Sequence, residues 1–330
     1  MNGLRLVRAG PWVSIQDLGR RRWQRYGVSE SGAMDWLSLR LANRIVGNQP
    51  SEAALEVSAP GLIVAPDTAP LTVAAVGPSL EVWLDETAIT GNRGYCLQPG
   101  QTLRLRPGPE AVFAYLAVAG GFATPEVFGS RSFHGRSGIG GTGLPLSTGT
   151  VLPTRGGGGR ELRLAERMPT GNGPIAVIEG PQHDHVDPDS WATFLRVSWR
   201  IHPRSDRMGI RLDGPALRHS KRGYNLVSDG IVLGSVQLPG NGQPIVLAAD
   251  RQTTGGYPKF SVIPQAEMLR FVQRPYGQIV NFRVCTVEEA VRALGDVRRW
   301  VDNTPLCPAD DLFDSRRLLS VNLIDGVISA

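Results

Sequence analysis

Short apolar runs, broken by glycine, proline, asparagine and aspartate, recur along almost the whole chain. Residues 3–16 alternate as a strand does, with Leu4, Leu6 and Val7 before Pro11 and with Val13 and Ile15 after it. Further runs lie at 53–57, 61–65, 71–76, 80–84, 102–106 and 112–119. A second series begins at Leu162 and continues through 175–178, 194–199, 209–213, 231–238, 244–248, 260–263, 267–272 and 278–284. Such even spacing between turn residues predicts antiparallel barrels or sandwiches. Two stretches follow a helical period instead. Leu37, Leu41 and Ile45 share one face of a helix over 35–46 that stops at Gly47. Residues 287–301 predict another, with Thr286 as N-cap and Glu288 and Glu289 in its first turn. The tail from Leu318 to Ser329 reads as one last strand.

The fold class expected is therefore mainly β, and 330 residues suffice for two cores. The boundaries expected are an N-terminal domain over 1–160, a C-terminal domain over 161–285, and a helix and tail over 286–330. The glycine-rich stretch 135–160 ends in Arg155-Gly156-Gly157-Gly158-Gly159, read as the linker. No strand-plus-helix pattern surrounds it as a dinucleotide site requires. The 40 glycines and 25 prolines are scattered among the apolar runs, which again favours strands and tight turns.

Net charge is +5, and Arg20, Arg21, Arg22 and Arg25 form the dense basic cluster. No aromatic-basic recognition pattern accompanies it, so nucleic acid is not an expected partner. Cys96, Cys285 and Cys307 are widely spaced, without a CxxC or histidines at ligand spacing, which argues against a disulfide framework or zinc site. No apolar run is long enough to span a bilayer and no signal-type segment opens the chain, so a soluble, cytoplasmic protein without membrane contact is expected.

Four constellations offer chemistry. The first joins Gln16-Asp17-Leu18-Gly19, Gly27-Val28 and the loop from Ser31 to Asp35, where Asp35 or Ser31 also suits a helix cap. In the second, Asn43 and Asn48 flank a helix end, and Glu56 in an apolar strand requires a partner such as arginine or asparagine if buried. The third contains Arg207 in Ser205-Asp206-Arg207-Met208-Gly209, with Ser228-Asp229-Gly230 and Gln237 beyond it. Arg207 could grip an anionic substrate bidentately, or Asp206 could pair with Arg207 or Arg211 at the surface. The fourth is AADRQTTGGYPKF, residues 248–260, where polar groups follow an apolar strand and the backbone can approach a ligand at Gly255-Gly256. His183 and His185 lack a compelling third metal ligand, and no metal site is assigned. Neither a Ser-His-Asp elbow nor a Walker sequence occurs.

Taken in order, QDLGRRRWQRYGVSESGAMD, NRIVGN with ALE, YLAVAGGF with FGSRS, SDRMGIRLDG and GSVQLPGNGQPIVLAADRQTTGGYPKFSVI resemble the allophanate hydrolase subunit 2 family, also called the biotin-dependent carboxyltransferase family, across roughly residues 4–285. The chain departs from that pattern where the family usually has glycine at Arg22, Ser-Glu-Gly at Ser228-Asp229-Gly230, and Ser-Thr at Ser132-Phe133.

The resemblance implies two cyclophilin-like β-barrel domains and a hetero-oligomer with a B-like 5-oxoprolinase subunit (allophanate hydrolase subunit 1). Its bacterial members include subunits of an ATP-dependent 5-oxoprolinase, which also needs an A-like protein. ATP would then act at the level of the complex, with no cofactor bound by this chain and biotin reached only through another chain. Two other activities are open: a regulator that antagonises a B-like kinase inhibitor, and a carboxyltransferase component acting on urea or a similar amide. The residues expected to carry chemistry are Asp250, Asp35 and Lys259 as catalytic groups, with Arg207, Gln252, Thr253, Gly255, Gly256, Tyr257, Ser31 and Gln237 around substrate.

Overall fold

The computed structural model describes residues 2–169 and 171–309; the strand expected over 318–329 lies outside the described residues. Strands dominate, as the apolar pattern predicts, and four α-helices occur among the described residues: α1 (Trp36–Ile45), α2 (Pro188–Arg196), α3 (Gln265–Phe271) and α4 (Val287–Asn303).

The first body packs two sheets against each other. One has the order Val151–Pro153, Gly3–Ala9, Leu62–Pro66, Leu103–Pro107, Leu80–Leu84, Thr87–Ile89. The other runs Ser14–Gln16, Ala54–Val57, Ala114–Val118, Leu71–Val76, Arg93–Leu97, Leu162–Leu164, Leu306–Pro308. Alternation sets which residues meet between the sheets: Leu4 and Leu6 from one, Leu55, Val57, Val73 and Leu116 from the other, all without solvent exposure. Each such side chain contributes about 1.5–3 kcal/mol on burial. The outer face of the second sheet is covered by α1, whose Leu37, Leu41 and Ile45 pack with Ala74, Val76 and Ala117.

The second body is one eight-stranded sheet: Ile279–Val280, Trp199–Ile201, Gly209–Asp213, Ile245–Leu247, Ser235–Gln237, Lys259–Val262, Ile175–Glu179, Phe282–Val284. Its two edges are formed by segments separated only by Asn281, so the sheet curls into a nearly closed barrel. Aromatic rings fill the interior, with Phe194 stacked on Phe282 at 4.6 Å and edge-on to Phe260 at 5.1 Å.

Three sequence expectations change. Residues 267–272, expected as a strand, belong to α3, which follows Pro264 and buries Ala266, Met268, Leu269 and Phe271. The expected strand 194–199 divides into the end of α2 and a strand that starts at Trp199. Leu162–Leu164, read as the start of the second series, pairs with Leu306–Pro308 and meets Arg93 of the first body. Helix α4 returns the chain there, held where Arg40 of α1 donates to Asp302 at 2.7 Å and Arg44 to the carbonyl of Thr304 at 3.1 Å.

Candidate functional site

The loop between Gln16 and α1 carries the first body's polar groups to the second. Its two ends are tied together by Arg20 N–H donating to the Glu30 carbonyl at 2.8 Å and Ala33 N–H to the Asp17 carbonyl at 2.9 Å. The strands of the loop touch backbone to backbone: a Cβ on Gly32, at φ +95°, would lie 3.0 Å from the Gly19 nitrogen. Asp17 anchors the base, accepting from Ser130 Oγ at 2.7 Å, Ser132 Oγ at 2.5 Å and Arg131 N–H at 2.6 Å. The distant segments QDLG and GSRS are thus one structural unit. At the base of the loop Ser31 has φ +55°, a conformation that costs a non-glycine residue, and its hydroxyl donates to Asp250 Oδ1 at 2.5 Å.

Asp250 lies just past the strand Ile245–Leu247, beside the turn that precedes Gly209–Asp213, and its N–H donates to the Arg207 carbonyl at 2.7 Å. The side chains pair as well. Arg207 Nε donates to Asp250 Oδ2 and Nη2 to Oδ1, both at 2.9 Å, a bidentate fork. Nη2 also reaches the Gly32 carbonyl at 2.7 Å, and Nη1 donates to Glu56 Oε1. Glu56 is 1% exposed and its other oxygen accepts from the Tyr115 hydroxyl at 2.5 Å and Met34 N–H at 2.8 Å. Burial alone would lift the Asp250 carboxyl, but the Arg207 charge, the hydrogen bonds from Arg207 and Ser31, and His134 hold it below the ordinary value. Burial lowers the Arg207 guanidinium, and Asp250 and Glu56 more than reverse that. Asp250 and Arg207 thus hold each other in their charged forms.

A different wall carries free donors. Lys259 and Gln237 are both 2% exposed and face each other across neighbouring strands. Gln237 Nε2 has no hydrogen-bond partner, and Lys259 Nζ has only a loose ion pair with Asp229 at 3.4 Å. A Cβ on Gly255 would lie 2.9 Å from Gln237 Nε2 and 3.4 Å from Gln252 Nε2, so the missing side chain leaves room for those amides. Ammonium and amide N–H groups present donors only, and an acceptor oxygen fits them. The loop from the first body reaches this wall too: Gln24 Nε2 donates to the Thr253 carbonyl at 3.3 Å.

The structure thus brings Ser31, Arg207 and Asp250 together at the interface, and Gln237, Gln252, Gly255 and Lys259 together on the second barrel. Thr253 contributes its carbonyl, the Gly256 carbonyl accepts from Leu226 N–H at 2.9 Å, and Tyr257 is 41% exposed at the rim. Two expected site residues are engaged within the protein. All three Arg207 nitrogens donate to protein acceptors, so its fork clamps the interface. Asp35 caps α1: Oδ1 accepts from Leu37 and Ser38 N–H at 3.0 and 3.1 Å, Oδ2 from Ser38 Oγ at 2.6 Å and Gln273 Nε2 at 2.8 Å. Burial raises its carboxyl, and all four of these contacts are made within the protein. Sequence reasoning missed His134, whose ring lies 3.4 Å from the Asp250 carbonyl and which stands in no patterned segment, and Tyr115, which opens YLAVAGGF but reads there only as part of the apolar run 112–119. A cleft of about 660 Å3, lined by Met34, Pro60, Ile210 and Val272, opens on the Arg207 side and does not include Lys259 or Gln237.

Known proteins share this architecture. The carboxyltransferase domain family, subdomain A and B, matches residues 26–284. The 5-oxoprolinase C subunit of Escherichia coli is 38% identical over 91% of this chain and 96% of its own, and that of Haemophilus influenzae 32% identical over 88% and 96%. Urea amidolyase of Saccharomyces cerevisiae is 30% identical over 83% of this chain, which spans only 16% of that enzyme. The crystal structure of Kluyveromyces lactis urea amidolyase superposes with a TM-score of 0.83 at 26% identity, covering 92% of this chain and 20% of the other. The chain belongs to the carboxyltransferase domain family, subdomains A and B.

Proposed function

We propose that this chain is the C subunit of an ATP-dependent 5-oxoprolinase, working with A-like and B-like subunits to open 5-oxoproline to glutamate. The observation that carries the reading is the buried Lys259 ammonium, held only by a 3.4 Å ion pair with the exposed Asp229, on the strand next to Gln237, whose unpartnered Nε2 lies beside Gly255. A lactam carbonyl gains negative charge on oxygen as it is activated or attacked, and preorganised donors in a dry wall stabilise that charge. Lys259 and Gln237 bind the oxygen; Gln252 and Tyr257 line the entrance. Asp250, held ionised by Arg207, positions Ser31 and the first-body loop and does not take up a proton itself. A nucleophile within the chain is unnecessary because ATP supplies the phosphoryl group that activates the lactam oxygen and water supplies the attacking oxygen, with the ring nitrogen leaving as the amine and phosphate released. The extent of the likeness to relatives named as 5-oxoprolinase C subunits supports the reading.

The test is reconstitution with A-like and B-like subunits, following 5-oxoproline and ADP together. ATP-coupled consumption that requires this chain is expected; ATP hydrolysis and 5-oxoproline levels indifferent to its presence would refute the proposal. A carboxyltransferase role is the second reading, favoured by the superposition on Kluyveromyces lactis urea carboxylase at a TM-score of 0.84. Under it, a biotinylated chain would co-purify and carboxylate an amide substrate.

A further inference from the structure

A small cavity of about 140 Å3 is lined by residues of the loop before α1, by α1, α3 and α4, and by the turn around Arg251. Four arginines line it, the buried Arg251, the half-buried Arg40 and the exposed Arg21 and Arg298, with one carboxylate, Glu30. Glu30 is already taken by Arg251 Nη2 at 2.5 Å, and Asp302, outside the cavity, takes Arg40 Nη2 at 2.7 Å. Positive charge remains in excess.

Three nitrogens on these walls have no hydrogen-bond partner although they are buried: Arg251 Nε, Arg40 Nε and Trp36 Nε1. Arg251 as a whole is 5% exposed, so water does not satisfy it from the surface. Native proteins rarely leave such groups unpaired, and all three are donors that cannot accept. An occupant must bring several acceptor oxygens and negative charge. The volume is well short of the roughly 300–1,000 Å3 of sites for drug-sized ligands, so a nucleotide does not fit. Arginine, more than lysine, matches the fixed oxygen geometry of a phosphate.

We propose that this cavity binds a phosphate dianion, either free orthophosphate or the phosphoryl group of a small ester. The four lining arginines supply the positive charge such an ion needs, and the orphan Arg251 and Arg40 Nε and Trp36 indole N–H groups supply the directed bonds. Ser31 lines the same cavity and donates to Asp250, so the occupant would lie one side chain from the clamp. The inference does not depend on the reaction proposed above.

Calorimetric titration of the whole chain at constant ionic strength tests it, with orthophosphate, methyl phosphate and acetate as probes. Orthophosphate is expected to bind once per chain, at least about tenfold more tightly than acetate, and the Arg40→Gln/Arg298→Gln double variant to lose at least about tenfold of that affinity. Because Arg40 also holds α4, Trp36→Phe serves as a second variant, keeping the ring and removing one N–H; about threefold weaker binding is expected. Equal affinity for methyl phosphate assigns the site to a phosphoryl ester, and preference for orthophosphate to the free ion. Absence of saturable phosphate binding, acetate binding as tightly, or both variants binding like the parent would overturn the proposal.

Discussion

The Arg207 guanidinium donates to three carboxylate oxygens, two on Asp250 of its own barrel and one on Glu56 of the other. Removing a buried ion's partner leaves uncompensated charge, so Arg207→Met is expected to lower stability by about 3–5 kcal/mol, read as a shift of the urea midpoint. The pH dependence follows from Asp250. Its folded pKa lies below the ordinary 3.8, so its stabilisation is complete above that value and is lost as pH falls from there through the lowered folded value. Acid titration of the unfolding temperature should show that loss in the parent and a shallower one in Asp250→Asn. Asp35 has the opposite sign: raised by burial, its contribution is present below 3.8 and disappears as pH rises through the folded value. Arg22 offers a further check. It stands where relatives of the resembled family usually carry glycine, and it adopts φ +75°. Arg22→Gly should stabilise by up to about 1 kcal/mol, visible as a raised melting temperature, because glycine enters the left-handed region without the Cβ clash. Much of the candidate site was legible at this scale: polar residues massed after a strand end marked Asp250 and Lys259, and Glu56 in an apolar strand called for a partner such as arginine or asparagine. That the partner is Arg207 was not legible, because 151 residues separate them and only the docking of two barrels joins them.

Among the elements, α1 and α4 were legible because each combines a helical apolar period with a cap, and α4 shows the full capping box between Thr286 and Glu289. Thr286→Ala is expected to destabilise α4 by about 1 kcal/mol, raising amide exchange in its first turn above that of the parent. Helix α3 escaped because its seven residues give too little periodicity to separate a short helix from a buried strand. The strand Leu162–Leu164 was assigned to the wrong neighbours for a related reason: local pattern identifies a strand, whereas its partner, Leu306–Pro308, lies beyond the entire second barrel. Gln273, next to α3, joins the bodies by accepting from Val112 and Phe113 N–H at 3.0 and 2.9 Å and donating to Asp35. Such ties depend on tertiary docking and have no signature in the sequence near them.

At the scale of the whole molecule, two β bodies are fastened by charged and hydrogen-bonded groups, while Lys259 and Gln237 present donors from one wall of the second. Under the proposed function the clamp supplies rigidity and the wall the chemistry. Lys259→Met in the reconstituted three-subunit complex tests that division of labour most directly, since the methionine keeps the buried stem and deletes the ammonium. ATP-coupled loss of 5-oxoproline is expected to fall by about 100-fold or more with the mass of the complex unchanged. Turnover within about twofold of the parent complex would contradict a catalytic role for the wall.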